Sequence, residues 1–282
     1  MKKSLLFAIV VILTLTSCEK IDNEVFFKIG SGQEYKFKDI ELYDTSTHIL
    51  YFKKVHEEFN DIVGGTFAFM DDGEIIYQGS FVPGYSSYIP NGPFIMSPSM
   101  YGNYALKIEN WYSNKPDIRN NPKMIAILNQ NDLLHAGLAI TTSSVEIIGT
   151  QLTFKFTITN NDQSDLMIID LDKTGLNLFH YFTNGLFIYN LTHNEVFSSN
   201  IQHQAPVPWN SWKIDWLSEL KSGYSKEYTI NYTINNLLNP GEYDTTFEFP
   251  GLAYQVTKDQ LYQGNSRILL GGISLSKRIT IQ

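Results

Sequence analysis

Residues 152–159 read Leu-Thr-Phe-Lys-Phe-Thr-Ile-Thr, a strict alternation of apolar and polar side chains that stops at Asn160-Asn161. A period of two puts every apolar side chain on one face of a strand, which a helix with 3.6 residues per turn cannot do. Comparable runs recur at 34–43, 48–55, 66–70, 74–77, 104–111, 166–171, 186–189, 227–234, 243–249 and 273–281, with turn residues between them. The aromatic share of 14% suits such strands. Hydrophobic residues at 43% and charged residues at 18% place the 282-residue chain among globular proteins. The expected fold is mainly β with little helix, in two β-rich domains. A formal charge of −8 opposes recognition of nucleic-acid phosphates.

Local signals sharpen the pattern. Asp71-Asp72-Gly73 between two alternating runs predicts a tight hairpin. Residues 83–98 hold four of the ten prolines and are expected to be a rigid loop, since proline lacks the donor of a central strand. One helix is expected, over residues 123–134, with Asn121 as N-cap, Pro122 in its first turn and Gly137 beyond its end. Asn129, Gln130 and Asn131 weaken its second half.

The N-terminus carries an address. Lys2 and Lys3 precede an apolar stretch at residues 5–15. As a helix that stretch spans roughly 16 Å, about half of a ~30 Å hydrocarbon core, so it suits a secretory signal and not a membrane span. Leu15-Thr16-Ser17-Cys18 follows, and this resembles the lipobox of bacterial lipoprotein precursors. The resemblance implies cleavage before Cys18 and acylation of its sulfur and new amine. Cys18 is the one cysteine of the chain, so no internal disulfide competes for it. Acyl chains contribute ~0.8 kcal/mol per buried methylene and would hold the protein at a membrane. The acidic start after Cys18 and the Asn-, Ile- and Tyr-rich style resemble lipoproteins of the Bacteroidetes, which implies an outer-membrane address.

Leu238-Asn239-Pro240-Gly241-Glu242-Tyr243, set between two strand patterns, resembles the tyrosine corner of fibronectin type III and other immunoglobulin-like sandwiches. In that motif the tyrosine hydroxyl bonds back to upstream backbone. The resemblance implies an immunoglobulin-like β-sandwich in the C-terminal half. The expected organisation is a signal peptide over 1–17, an acylated tether over 18–30, a β-rich domain over 31–135 and the sandwich over 136–282.

Chemistry is sparse. Gly-x-Ser-x-Gly, a phosphate loop and paired metal-ligating histidines are all missing from the sequence, and His56-Glu57-Glu58-Phe59-Asn60 has Asn where a zinc motif needs its second His. His48, His56, His135, His180, His193 and His203 are scattered. Asp162, Asp165, Asp170 and Asp172 could line a calcium site, but solvated strand-end acids explain them as well. Glu57-Glu58 and Asp71-Asp72 are weak candidates for a glycosidase carboxylate pair. Asp244-Thr245-Thr246 resembles the acceptor of Bacteroidetes O-glycosylation. The Asn190 and Asn231 sequons carry no such implication in a bacterial lipoprotein.

The densest feature is aromatic. Trp209, Trp212 and Trp216 lie within eight residues, with Asn210 and Asp215 beside them. On a helix their spacing would share one face, which favours a lid packed on the sandwich. The alternative is a platform on which sugar rings stack while Asn210 and Asp215 orient them. Trp111-Tyr112 and Tyr85-Ser86-Ser87-Tyr88 are smaller aromatic candidates. No catalytic residue, metal or cofactor is expected. The expectation is a membrane-anchored envelope protein that binds another envelope protein or a polysaccharide, or serves structurally. A glycan-binding accessory role and a hydrolase assembled from distant residues are the alternatives.

Overall fold

The computed structural model describes residues 24–88, 90–111, 116–183, 185–190, 195–198, 201–234 and 237–281. Cys18 and the expected signal lie outside the described residues. The chain divides after Leu134 into two compact units. Both are built mainly of strands, with two α-helices among the described residues.

Unit one carries β1 (Val25–Ile29), β2 (Gln33–Lys36), β3 (Ile40–Asp44), β4 (Ile49–Phe52), β5 (Gly65–Asp71), β6 (Glu74–Pro83), β7 (Phe94–Ser97) and β8 (Ala105–Lys107). Helix α1 (Pro122–Gln130) and β9 (Leu134–His135) follow. One sheet has the order β2-β1-β5-β6-β7 and another β8-β4-β3-β9. Phenylalanine joins them: Phe27 of β1 meets Phe69 at 5.0 Å and Phe52 of β4 at 6.1 Å, all three fully buried. Each such ring removes a large apolar surface from water, the main favourable contribution to folding.

Several expectations change in this unit. The tether expected over 18–30 ends sooner, because Val25–Ile29 is strand β1 and Phe26 and Phe27 are core. The run at 34–43 is broken by a 3-10 turn at Phe37–Asp39, where the Asp39 carboxylate accepts from Lys36 N at 2.9 Å. The proline-rich stretch 83–98 is not all loop: Phe94–Ser97 pairs in parallel with Ser80–Pro83. Its prolines flank the strand and leave its donors intact. The hairpin forms as expected, with Asp72 and Gly73 at φ 49° and 80° between paired Asp71 and Glu74. Two positive φ values in a two-residue loop match the right-handed twist of the strands, and glycine adopts one without strain. Helix α1 starts on its cap, Asn121 accepting from Lys123 N at 2.9 Å, but ends at Gln130 rather than 134.

Unit two holds β10 (Leu138–Ile148), β11 (Gln151–Asn160), β12 (Leu166–Ile169), α2 (Leu171–Tyr181), β13 (Leu186–Asn190), β14 (Glu195–Ser198), β15 (Leu217–Leu220) and β16 (Ser225–Thr233). β17 (Gly241–Phe249), β18 (Tyr262–Gln263), β19 (Ser266–Ile268) and β20 (Ile273–Ile281) complete it. The sheets β10-β11-β16 and β14-β13-β17-β20 face each other through Phe154 and Phe156, which meet Phe247 at 5.0 and 4.9 Å. This is a sandwich-like packing, with inward and outward residues alternating along β11 and β17. A third sheet has the order β15-β12-β19-β18. Tyr243 is buried and its hydroxyl donates to Asn239 O at 3.0 Å, the corner geometry expected of this segment.

Helix α2 was not expected from the pattern. Its start is written in Asp170, whose carboxylate accepts from Asp172 N, and its run is kinked at Gly175 (φ 69°).

Candidate functional site

The segment around the tryptophans is not one helix. Val207-Pro208 precedes a turn, in which Ser211 N donates to Pro208 O at 2.9 Å. Extended residues and a single 3-10 turn at Ile214–Trp216 follow. Asn210 and Ser211, whose side chains compete for nearby backbone, favour a turn over a continuous helix here. The shared face implied by the spacing is therefore absent, and the three rings part company. Trp209 is 61% exposed, whereas Trp212 and Trp216 are half-buried. Asn210 and Asp215 are both exposed.

What assembles instead is an aromatic arc on the surface of unit two. Tyr181, at the end of α2, donates from its hydroxyl to Trp209 O at 2.8 Å. The Trp209 ring lies 6.0 Å from Tyr254 at 57°. Tyr181 meets Phe182 edge-on at 5.1 Å, and Phe182 meets Trp216 at 6.1 Å. Trp212 supports the arc from below: its indole donates to Gln255 O at 3.0 Å, which fixes the backbone beside Tyr254. Desolvation and then the neighbouring Tyr181 raise the Tyr254 hydroxyl's pKa above its ordinary value. The Lys213 ammonium sits 5.8 Å from the Trp216 ring centre, a cation–π distance. Exposed ring faces beside Asn210, Lys213 and Asp215 give an apolar stacking surface edged with donors and acceptors.

The acids considered for calcium are occupied by the protein's own groups. Asp170 accepts from Lys226 Nζ at 2.7 and 2.8 Å, from Tyr228 at 3.1 Å and from Ser218. Burial opposes its charge, yet these donors prevail and hold its pKa below the ordinary carboxylate value. Asp172 shares the same lysine at 2.8 Å. Asp162 is paired with His135 at 2.7 Å and with fully buried Arg267 at 3.0 Å. Asp165 accepts from Ser222 N. Glu57 accepts from Asn103, and Glu58 from Tyr35 and His56. Asp71 pairs with Lys123. Among the described residues no group of three or more His, Cys, Asp or Glu could hold a metal ion. His193 and Tyr112 lie outside the described residues, as does part of the Asn190 sequon; Asn231 lies in β16.

Of the smaller aromatic candidates, Trp111 is exposed and stands edge-on to Phe94 at 5.1 Å. Tyr85 and Tyr88 are exposed as well. The glycosylation resemblance meets an obstacle: Thr245 is 3% exposed and its hydroxyl donates to Lys277 O at 2.7 Å.

Unit one holds a polar cluster that no sequence motif announced. Tyr43 and His48 Nδ1 are 2.9 Å apart, and His48 Nε2 lies 3.9 Å from Asp117 Oδ2. Asp117 is gripped by the Arg119 guanidinium at 2.9 and 2.6 Å, which brings its pKa down to about 2 despite partial burial. Burial, then Arg119, lowers His48 to about 4. Tyr43 is fully buried, and the neighbouring Asp44 carboxylate accepts from Ser46 N and Thr47 N to hold the turn that follows.

Three aromatic members of the arc, Tyr181, Phe182 and Tyr254, were not read as site residues. They lie far from the tryptophan cluster in sequence and meet it only through the fold. No protein-family model and no curated protein matches the chain. Among solved structures, a β-glucosidase from Kluyveromyces marxianus in complex with glucose is similar at 9% identity, and its selenomethionine form at 10%. Each alignment covers 51% of this chain and 14% of that one, with a TM-score of 0.22. A likeness at that level carries no argument about activity.

Proposed function

We propose that the protein is a cell-envelope lipoprotein, anchored through acylated Cys18, that works by binding and not by catalysis. Its C-terminal unit is read as an immunoglobulin-like sandwich, with the Tyr243 corner in support. The ligand we favour is a glycan chain, and one observation carries the choice: Trp209 holds an exposed ring against Tyr254, with Asn210 and Asp215 free to orient hydroxyls. Stacking on an exposed aromatic face removes apolar sugar surface from water, while edge groups supply directional hydrogen bonds. The 57° tilt between the two rings suits a free, twisted chain better than a flat crystalline surface.

The experiment is a polysaccharide array probed with wild-type protein and with Trp209→Ala. Binding that is lost in the variant, with an unchanged thermal melt, supports the reading. A wild-type protein that binds no polysaccharide would refute it.

A further inference from the structure

Outside the arc, the exposed face of β13, β17 and β20 carries a hollow of about 240 Å³. Its lining includes Gly185, Phe187, Thr246, Glu248, Ser274 and Ser276, with Phe247 between two of them. The ladder register makes this arrangement: Phe187 pairs with Thr246, Thr246 with Ser276, and Glu248 with Ser274. Their neighbours Leu186, Ile188, Phe247 and Phe249 point inward to the core. The outward row thus offers one ring, three hydroxyls and one carboxylate. Gly272 makes room for that carboxylate, since a Cβ there would fall within 2.0 Å of Glu248 Oε1. Among the described residues no cation pairs with Glu248; Arg278, further along β20, is committed to Asp244 at 2.8 Å.

The hollow and the arc are close in sequence. Phe182 belongs to the arc and Gly185 to the hollow, and three residues of backbone reach no more than about 11 Å. Thr183 is buried, and its hydroxyl bonds the carbonyl of Glu248 in the hollow's own strand.

We infer that the hollow is a second subsite, and that the ligand is a neutral oligosaccharide long enough to occupy both arc and hollow. This rests on the glycan reading of the arc. Phe187 supplies a stacking face, and Thr246, Ser274 and Ser276 exchange hydrogen bonds with ring hydroxyls. Glu248 accepts from a pair of sugar hydroxyls, and its charge opposes uronates and sulfated glycans. The net charge of −8 acts in the same direction.

Titration calorimetry of the full chain tests this with cello-, xylo-, manno- and malto-oligosaccharides of two to six units, and with oligogalacturonate. The hexamer of the preferred series should bind at least tenfold more tightly than the dimer. Phe187→Ala should lower hexamer affinity at least tenfold and leave dimer affinity at the arc unchanged. Ser276→Trp, which fills the hollow from an exposed position, should do the same without touching the core. Unchanged hexamer affinity in both variants, with Trp209→Ala still harmful, overturns the subsite and spares the arc. Oligogalacturonate binding as tightly as the neutral series overturns the ligand class. Absence of binding to every oligosaccharide overturns the glycan reading and this inference with it.

Discussion

Trp209 and Trp212 are three residues apart, and the structure gives them opposite duties. Truncating Trp209 to Ala removes an exposed ring, so the melting temperature should stay within about a degree or two of wild type. Trp212→Ala removes a half-buried ring and leaves the Gln255 carbonyl without its donor. A loss of about 2–3 kcal/mol is expected in urea titration. Equal melts for the two variants would contradict this division. Tyr243→Phe is a smaller deletion: it removes the bond to Asn239 O, and roughly 1 kcal/mol should go with it.

The histidines set an acid limit at the same scale. Burial lowers both His48 and His180 from 6.5 to about 4, helped by Arg119 in one case and His203 in the other. Between those values the unfolded chain binds more protons than the folded one, so stability falls as pH drops from about 6.5 toward 4. Each group contributes up to roughly 3 kcal/mol to that fall. The carboxylates Asp117, Asp162 and Asp170, all shifted downward, act later: their contribution is lost as pH drops below the ordinary carboxylate value. Urea midpoints at pH 7.5, 5.5 and 4.5 should decline in order. A flat series would overturn the assignment.

Elements were legible where one local rule decided them. The alternation in β11 and β17, the Asp72-Gly73 hairpin and the Asn121 cap each follow from a few neighbouring residues. Asn121→Ala should therefore cost about 1 kcal/mol, read as a lower melting temperature with the same fold by circular dichroism. Elements decided at longer range were not legible. Strand β7 is short and proline-flanked, and exists because β6 offers a parallel edge. Helix α2 starts from an Asp170 that looked like a turn acid, and its periodicity is cut at Gly175. The tryptophan spacing misled for a related reason. Helical periodicity has meaning only where a helix forms, and Asn210 and Ser211 favour the turn found here. Tyr181, Phe182 and Tyr254 could have been found only by knowing which turns meet.

At the scale of the whole molecule the proposed function divides the work between an N-terminal anchor and the C-terminal unit. On that proposal Cys18 holds the chain at a membrane and the arc of unit two is the ligand surface. Mass spectrometry of the mature N-terminus should find acylated Cys18. Cys18→Ser should abolish palmitate labelling while leaving glycan binding by the variant intact. A palmitate label that persists in the variant would refute the anchor.

The burial of Thr245 also fixes an order of events. Its hydroxyl is donated to Lys277 across the β17–β20 ladder, in the middle of nine paired residues. A transferase could reach it only on a chain whose last strand has not yet docked. Any sugar attached there would mark molecules that were slow to close, and would then bar β20 from its place. Glycosylation at this position would record the history of a molecule's export and could not decorate a finished one.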